Sequence, residues 1–289
     1  MNWVHIIVQG GLLGGLYALF AIGLSLSFGI MRLVNIAHGD LIVLSAYIGL
    51  MVINVTGVHP VATLIVVVPV MFVLGYVLQR ALLNQTLTGG LLPPLLVTFG
   101  ISVIIENVLL QAFGADNRRL QAGAIETSSF EIGGFAVGVY PLIVFATAVV
   151  CIAGLQLLFY RTALGRAFRA TSDDAETAEL MGIDNRHLYA LGLGIAMVFT
   201  ALAGILMAIR TNFDPAAGPI RLIFAFEAVI IGGLGSLWGT LLGGMVLGIT
   251  QVVVSQVSVP YAILASQLLF LVVLAVRPQG LFGNPQIVG

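Results

Sequence analysis

An all-α polytopic membrane protein with about eight to ten transmembrane helices is the fold class this sequence predicts, on three observations. Hydrophobic residues make up 60 % of 289 and charged residues 8 %, for a mean hydropathy of +1.12. Apolar runs recur from end to end at about 20 residues, the length a helix needs to cross a bilayer core of about 30 Å. The 35 glycines and 10 prolines fit as well, because both are commoner in membrane helices than in soluble ones. A soluble, all-buried core is excluded, since too little polar surface remains to cover it. The net charge of −1 gives no electrostatic footprint for nucleic acid.

Taken in order, the runs predict spans at about 3–31, 36–56, 60–80, 91–113, 138–160, 189–210, 237–257 and 260–277. The first starts almost at once without a basic leader region, so it is expected to be a retained span rather than a cleaved signal. A further apolar piece, FAFEAVIIGGLGSLWG at about 223–236, is too short to cross alone and breaks at Gly232-Gly233 and Gly235-Ser236. It is expected to be a re-entrant half-helix, because irregular backbone at membrane depth is tolerated only inside protein or beside a water-filled cavity. MRLVNIAHGDLIVLSAYIG, at 31–49, contains an analogous break near 31–40. Two interrupted segments in corresponding places predict a diverged internal repeat around a pathway.

Orientation follows from arginine, which is enriched on the cytoplasmic side. Residues 161–187 hold Arg161, Arg166, Arg169 and Arg186 and should be cytoplasmic. Alternation then places Arg32 and Arg80 inside, and the N-terminus and loop 114–137 outside. That outer loop carries Arg118 and Arg119, offset by Asp116, Glu126 and Glu131. The tail RPQGLFGNPQ is inside if 223–257 turns back on itself. Three ladders of small residues, Gly192/Ala196/Thr200/Gly204/Ala208, Gly235/Gly239/Gly243 and Gly10/Gly14/Ala18, let membrane helices approach closely, either inside one subunit or between subunits.

Several chemistries are absent. All eleven basic residues are Arg, which removes a P-loop lysine, a Schiff-base lysine and a Ser–Lys dyad. Cys151 is the only cysteine, and His5, His38, His59 and His187 lie far apart without metal-ligand spacing. ATP, if used, is bound by another chain.

The stretch at 161–187 is the exception to this apolar chain. Its four arginines are joined by Asp173, Asp174, Glu176, Glu179 and Asp184. Ser172 or Thr171 is a good N-cap, with Asp173, Asp174 and Glu176 in the first turn where the helix dipole favours carboxylates. Ala175, Ala178 and Met181 follow at i, i+3, i+6 as a narrow smooth face, and Gly182 can end the helix in a left-handed conformation. A helix of about two to three turns at 173–181 is marginal alone in water, so it is expected to dock onto a partner. An ordinary solvated loop is the alternative. A lipid-lying helix fits less well, because the face lacks Trp, Phe or a basic flank.

GRAFRATSDDAETAELMGID resembles the cytoplasmic loop of ATP-binding-cassette importer permeases, whose short coupling helix rests in a groove of the ATPase. The family pattern Glu-Ala-Ala, three residues, Gly is met by Glu176-Thr177-Ala178 and Gly182, with Thr177 departing from it. GGLYALFAIGLSLSFGIMRLVNIAHGDLIVLSAY, TFGISVIIEN, ALAGILMA, AFEAVIIGGLGSLWGTLLGG and RPQGLFG resemble, in order and over nearly the whole chain, the LivH-type permeases of branched-chain amino acid importers. The resemblance implies a single transmembrane permease domain over 1–289, multi-pass in the bacterial inner membrane. It implies a second homologous permease subunit (a heterodimer), two ATPase subunits that carry ATP and Mg, and an external substrate-binding protein. No cofactor is implied in this chain. Arg166, Arg169, Asp173, Glu176, Ala178, Glu179 and Gly182 are then the ATPase-coupling candidates.

VNIAHGD packs Asn35, His38 and Asp40 between two apolar runs, where polar groups are costly and usually face protein or water. Three readings stand: Asn35 or Asp40 caps the following helix, the three line a pathway, or they couple transport to protons, which ATP would make unnecessary. Glu106 and Glu227 are lone carboxylates in apolar runs, facing a cavity, an arginine or the interface. With Gly232 and Gly233 they complete the pathway candidates. The function this supports is import of a small polar solute by alternating access, the solute being a branched-chain or other amino acid, an amide or an organic acid. A secondary transporter driven by an ion gradient is the alternative. A membrane-bound enzyme is disfavoured, because no coherent catalytic set falls in one place.

Overall fold

The computed structural model describes residues 3–87, 90, 92–132 and 135–282; the end of the RPQGLFGNPQ tail lies outside the described residues. The helices, in order, are α1 (Trp3–Met31), α2 (His38–Thr56), α3 (Leu64–Ala81), α4 (Leu92–Phe113), α5 (Ala124–Thr127), α6 (Val139–Arg161), α7 (Ala163–Asp173), α8 (Ala175–Leu180), α9 (Asn185–Arg210), α10 (Gly218–Gly232), α11 (Leu237–Ser255) and α12 (Tyr261–Val276). Among the described residues, eight segments are long and apolar enough to cross a bilayer: α1, α2, Pro60–Gln85, α4, α6, α9, Pro215–Gly232 and α11. The 16-residue α12 is shorter. The chain is an all-α polytopic membrane protein, with one small exception in the 114–137 loop, where β1 (Ser129–Ile132) and β2 (Phe135–Gly138) pair antiparallel.

A helix that is apolar all round must be buried in protein or in lipid, and this chain uses both solutions. α1 and α9 are the buried central pair; α3, α4 and α6 turn most of their surface outward. α1 packs most extensively on α11, and α9 on α3, so each central helix is clasped by a helix from the other half of the chain. The small-residue ladders make this possible. Along α1, Gly10 faces Ile249 and Gly14 faces Met245, while Ser25 receives the Thr240 hydroxyl at 3.2 Å. Gly75 of α3 faces Leu193 and Met197. The α9 ladder lies against Gly23, Ile30 and Ser45, and Gly239 and Gly243 lie against Gly232 and Ala228. All three ladders therefore pack inside this subunit.

The halves also share an order of events. α1 ends at Met31, with Arg32 next, and α9 at Arg210; a run outside α-helix follows in each case, at 33–37 and 211–217, the latter ending in a 3-10 turn at Pro215–Ala217, and then a shorter helix, α2 or α10. Depth can be read from one bond. Nε2 of His38 lies 2.7 Å from the Phe20 carbonyl, and Phe20 is about 16 Å of helix rise from the end of α1. The run at 33–37 therefore turns back alongside α1, and α2 starts partway up it. The run at 211–217 enters from the opposite end, where Phe213 and Arg118 exchange backbone hydrogen bonds of 2.8 and 2.9 Å. The two shorter helices meet at their N-termini: Gly39 lies against the Gly218 carbonyl, and Gly218 against the Asp40 carboxylate.

The break expected at 223–236 is corrected in its first half. α10 begins at Gly218, so Pro215–Gly232 spans 18 residues and is long enough to cross. Pro219 and Arg221 interrupt the hydropathy there, yet proline is well suited to the first turn of a helix. The second half holds. Gly233 (φ 101°) and Gly235 (φ 80°) turn the chain, Ser236 caps α11 by accepting from the Gly239 N–H at 3.1 Å, and α11 runs back along α10. The interruption that corresponds to 33–37 is thus 211–217, and not the Gly232-Gly233 break.

Connections segregate to two ends. At one end the Ser172 hydroxyl donates to the Gly29 carbonyl at 2.7 Å, the Asn84 amide donates to the Arg186 carbonyl, and the Leu281 N–H donates to the Ile231 carbonyl. At the other, Arg119 is fixed by its contacts in the 114–137 loop. Its guanidinium pairs with Glu126 and donates from Nε to the Ile209 carbonyl at 3.1 Å, closing the end of α9.

Candidate functional site

The charged segment at 161–187 folds as two helices rather than one. Thr162 caps α7, accepting from the Gly165 N–H at 3.0 Å. The cap of α8 is Asp174, whose carboxylate accepts the N–H groups of Glu176 and Thr177, each at 3.1 Å, and the Thr177 hydroxyl. Those bonds, the Thr177 hydroxyl first, hold the Asp174 carboxyl below the usual carboxylate range. Ser172 and Thr171, the caps expected from sequence, are used otherwise: Ser172 bonds α1, and the Thr171 hydroxyl donates to Asn185 at 3.0 Å. Gly182 ends α8 as expected, at φ 87°. Its N–H donates to the Glu179 carbonyl and that of Ile183 to the Ala178 carbonyl, the paired bonds of a Schellman cap.

The smooth face has a different owner than expected. Ala178 is buried against its own chain, and the α8 surface that faces away carries Glu176, Glu179, Leu180 and Met181. Leu180 is 83 % and Met181 80 % exposed, an apolar pair on a charged helix end. Asp173 and Arg166 are exposed, while Arg169 lies over the Tyr160 ring at 5.0 Å and donates to the Phe159 carbonyl. A cavity of about 350 Å³ lies between α7 and the turn from α10 into α11, lined among others by Gly29, Arg169, Ser172, Gly235 and Ser236. The charged segment is tied to the core through α1 and approaches the α10–α11 turn.

Within the bundle, Asn35, His38 and Asp40 sit at the junction of the two shorter helices. Asn35 makes a local turn, its Oδ1 accepting the Ala37 N–H at 3.0 Å. His38 Nε2 meets a carbonyl, which only accepts, so this nitrogen carries the proton and fastens α2 to α1. Asp40 is 2 % exposed; Oδ2 accepts from the Ser102 hydroxyl of α4 at 2.5 Å, and Oδ1 rests against Gly218 without a hydrogen-bond partner. It lies in the first turn of α2 and against the start of α10, so two helix N-termini converge on one carboxylate. Helix dipoles favour negative charge at that place. Asn35 and His38 are thus explained by structure, and Asp40 by structure with one oxygen to spare.

The remaining candidates separate. Glu106, one turn beyond Ser102 on α4, is half-buried and close enough to act electrostatically on Asp40. Glu227 is 3 % exposed, with Oε2 unpartnered. Gly232 packs against the backbone of Gly239, and Gly233 against Gly280, with the Phe282 N–H donating to the Gly232 carbonyl at 3.1 Å. Backbone occupies the face of Gly232, and Gly233 turns the chain at φ 101°, so both build the hairpin. Sequence reasoning passed over Gly39, Gly218 and Ser102, whose roles depend on contacts between distant segments. It also passed over Arg210 and Arg221.

Comparisons with known proteins give this bundle a family. Residues 6–276 match the family model described as branched-chain amino acid transport system, permease component. The chain is 27 % identical to the high-affinity branched-chain amino acid transport permease BraD of Pseudomonas aeruginosa, covering 99 % of this chain and 97 % of that protein. It is 27 % identical to LivH of Escherichia coli K12, over 96 % and 95 % of the two chains, and 26 % identical to a probable LivH of Methanocaldococcus jannaschii, over 96 % and 92 %. No solved structure matches. With crossing helices throughout and a match over nearly its full length, this multi-pass inner-membrane chain belongs to the permease family of branched-chain amino acid transport systems.

Proposed function

We propose that this chain is one of two homologous permease subunits of an ATP-driven importer that moves a branched-chain amino acid, or a close amino-acid relative, into the cytoplasm by alternating access. Two ATPase subunits hold ATP and Mg, and an external binding protein delivers the solute. Selectivity rests mainly with that binding protein, so the permease holds the solute only weakly.

One observation carries the reading: two shorter helices enter from opposite ends and meet at Gly39, Asp40 and Gly218. Helices interrupted at membrane depth are how many transporters build a central solute site between opposed halves. The drive reaches that junction through packed elements. Leu180 and Met181 face the ATPase, α7 is tied by Ser172 to Gly29 of α1, and His38 ties α1 to α2. A displacement of α7–α8 is thereby transmitted to both central helices, since α7 also contacts α9.

The test is uptake of labelled L-leucine into proteoliposomes holding the full complex, with binding protein outside and ATP within. Uptake should require ATP and binding protein together. Uptake driven by a sodium or proton gradient in the absence of ATP would overturn the proposal.

A further inference from the structure

Two arginines near the junction of α9 and α10 make no ion pair among the described residues, although Asp214 lies within electrostatic reach of Arg221. Among the described residues the ion pairs are Arg118–Asp116 and Arg119–Glu126, so Arg210 and Arg221 have no carboxylate partner there. Arg210, the last residue of α9, has its Nη1 buried without a hydrogen-bond partner. Arg221 lies in the first turn of α10, where the helix dipole disfavours a cation. Its only hydrogen bonds are weak, from Nε to the Met207 sulfur at 3.1 Å and from Nη2 to the Asn212 carbonyl at 3.5 Å. Desolvating an unpaired charge costs several kcal/mol, and a local rule broken without compensation is expected at functional sites.

The surroundings are equally particular. Tyr17 of α1 stacks on Phe224 of α10 with centroids 4.8 Å apart, and its hydroxyl begins a buried chain through Gln251 to Ser266. Arg210, Arg221 and Glu227 all lie within electrostatic reach of Tyr17. Pro219, Ile220 and Ile223 beside Arg221 are exposed and Arg221 itself is half-buried, which puts it at the rim of the bundle. Two guanidinium groups fit one carboxylate, through paired N–H donors. The free Glu227 oxygen suits an ammonium and repels a multiply charged anion.

We propose that Arg210 and Arg221, beside Tyr17, form a station in the outer half of the pathway that takes the carboxylate of an α-amino acid, with Glu227 toward its ammonium. This rests on the importer reading above, and deepens it by naming residues and the recognised group.

The experiment uses the full complex. Arg210→Gln and Arg221→Gln should lower leucine uptake about tenfold or more, the loss of one charge-assisted hydrogen bond, while binding-protein-stimulated ATP hydrolysis persists. Arg221→Lys should recover part of the uptake by restoring charge without the fork. For wild-type complex in detergent, L-leucine at high concentration should raise the apparent melting temperature, and leucinamide, lacking the carboxylate, should not. Uptake by both glutamine variants within twofold of wild type would overturn the station. So would equal stabilisation by leucine and leucinamide, an arm that decides the matter even where a variant fails to assemble. Absence of ATP-driven uptake in wild type would instead overturn the importer reading itself.

Discussion

Gly39→Ala adds a single methyl group at the point where the two shorter helices meet. Its Cβ would lie 2.8 Å from the carbonyl carbon of Gly218 and 2.9 Å from the Leu222 nitrogen, with the Gly218 carbonyl oxygen closer still. Every neighbour is backbone of α10, so no flexible side chain can swing aside. Overpacking typically costs about 1–3 kcal/mol, and with backbone as the obstacle the upper part of that range applies, about 2–3 kcal/mol. In a chain of this size that corresponds to a fall of about 4–12 °C in the apparent melting temperature, at about 2–4 °C per kcal/mol. The assay is thermal unfolding of purified complex followed by loss of the monodisperse peak. Gly154→Ala is the matched control: it lies in α6, its Cβ would meet nothing within 4 Å, and alanine should gain about 0.5–1 kcal/mol in a helix interior. If Gly39→Ala melts with wild type while Gly154→Ala melts higher as expected, the helices do not meet at Gly39 and Gly218.

Replacing Leu180 and Met181 together by Asp should abolish uptake and binding-protein-stimulated ATP hydrolysis while the spans still insert; normal uptake would return α8 to the role of a solvated connector. Ser102→Ala should destabilise the complex by about 1.5–3 kcal/mol, the value of a hydrogen bond to a charged group, and an unchanged melting temperature would show that Asp40 does not depend on α4. Because the carboxyl of Asp174 is held below its ordinary value, its cap on α8 is complete above the unfolded value of about 3.9 and fades as pH falls through the folded value. Amide exchange at Glu176 and Thr177, corrected for intrinsic rates, should therefore quicken below about pH 4, and constant protection across that window would contradict the cap.

Much of this architecture was legible from local chemistry. The break at VNIAHGD announced itself because Asn35, His38 and Asp40 are polar among apolar neighbours, and Gly182 because a left-handed cap calls for glycine. What sequence could not carry was tertiary. Ser172 and Thr171 are good helix caps by type, but their hydroxyls are spent on Gly29 and Asn185, leaving the cap to Asp174. Ala178 belongs to a smooth stripe by spacing, yet the chain folds that stripe onto itself. The start of α10 was hidden by Arg221, whose charge interrupts an apolar run without interrupting the helix. Gly39 and Gly218 acquire meaning only when distant segments are brought together.

The most direct test of the central claim, that interrupted helices enter from opposite faces and meet inside, is two-sided cysteine labelling in a Cys151→Ala background. Val34→Cys reports the run before α2 and Ala216→Cys the run before α10. With membrane-impermeant maleimide applied separately to right-side-out and inside-out vesicles, Val34→Cys should label only from the cytoplasmic face and Ala216→Cys only from the external face. Trapping the ATPase in its nucleotide-bound state should change the two labelling rates in opposite directions. Labelling of both positions from one face would contradict the opposed entry, and rates that rise or fall together on trapping would contradict alternating access.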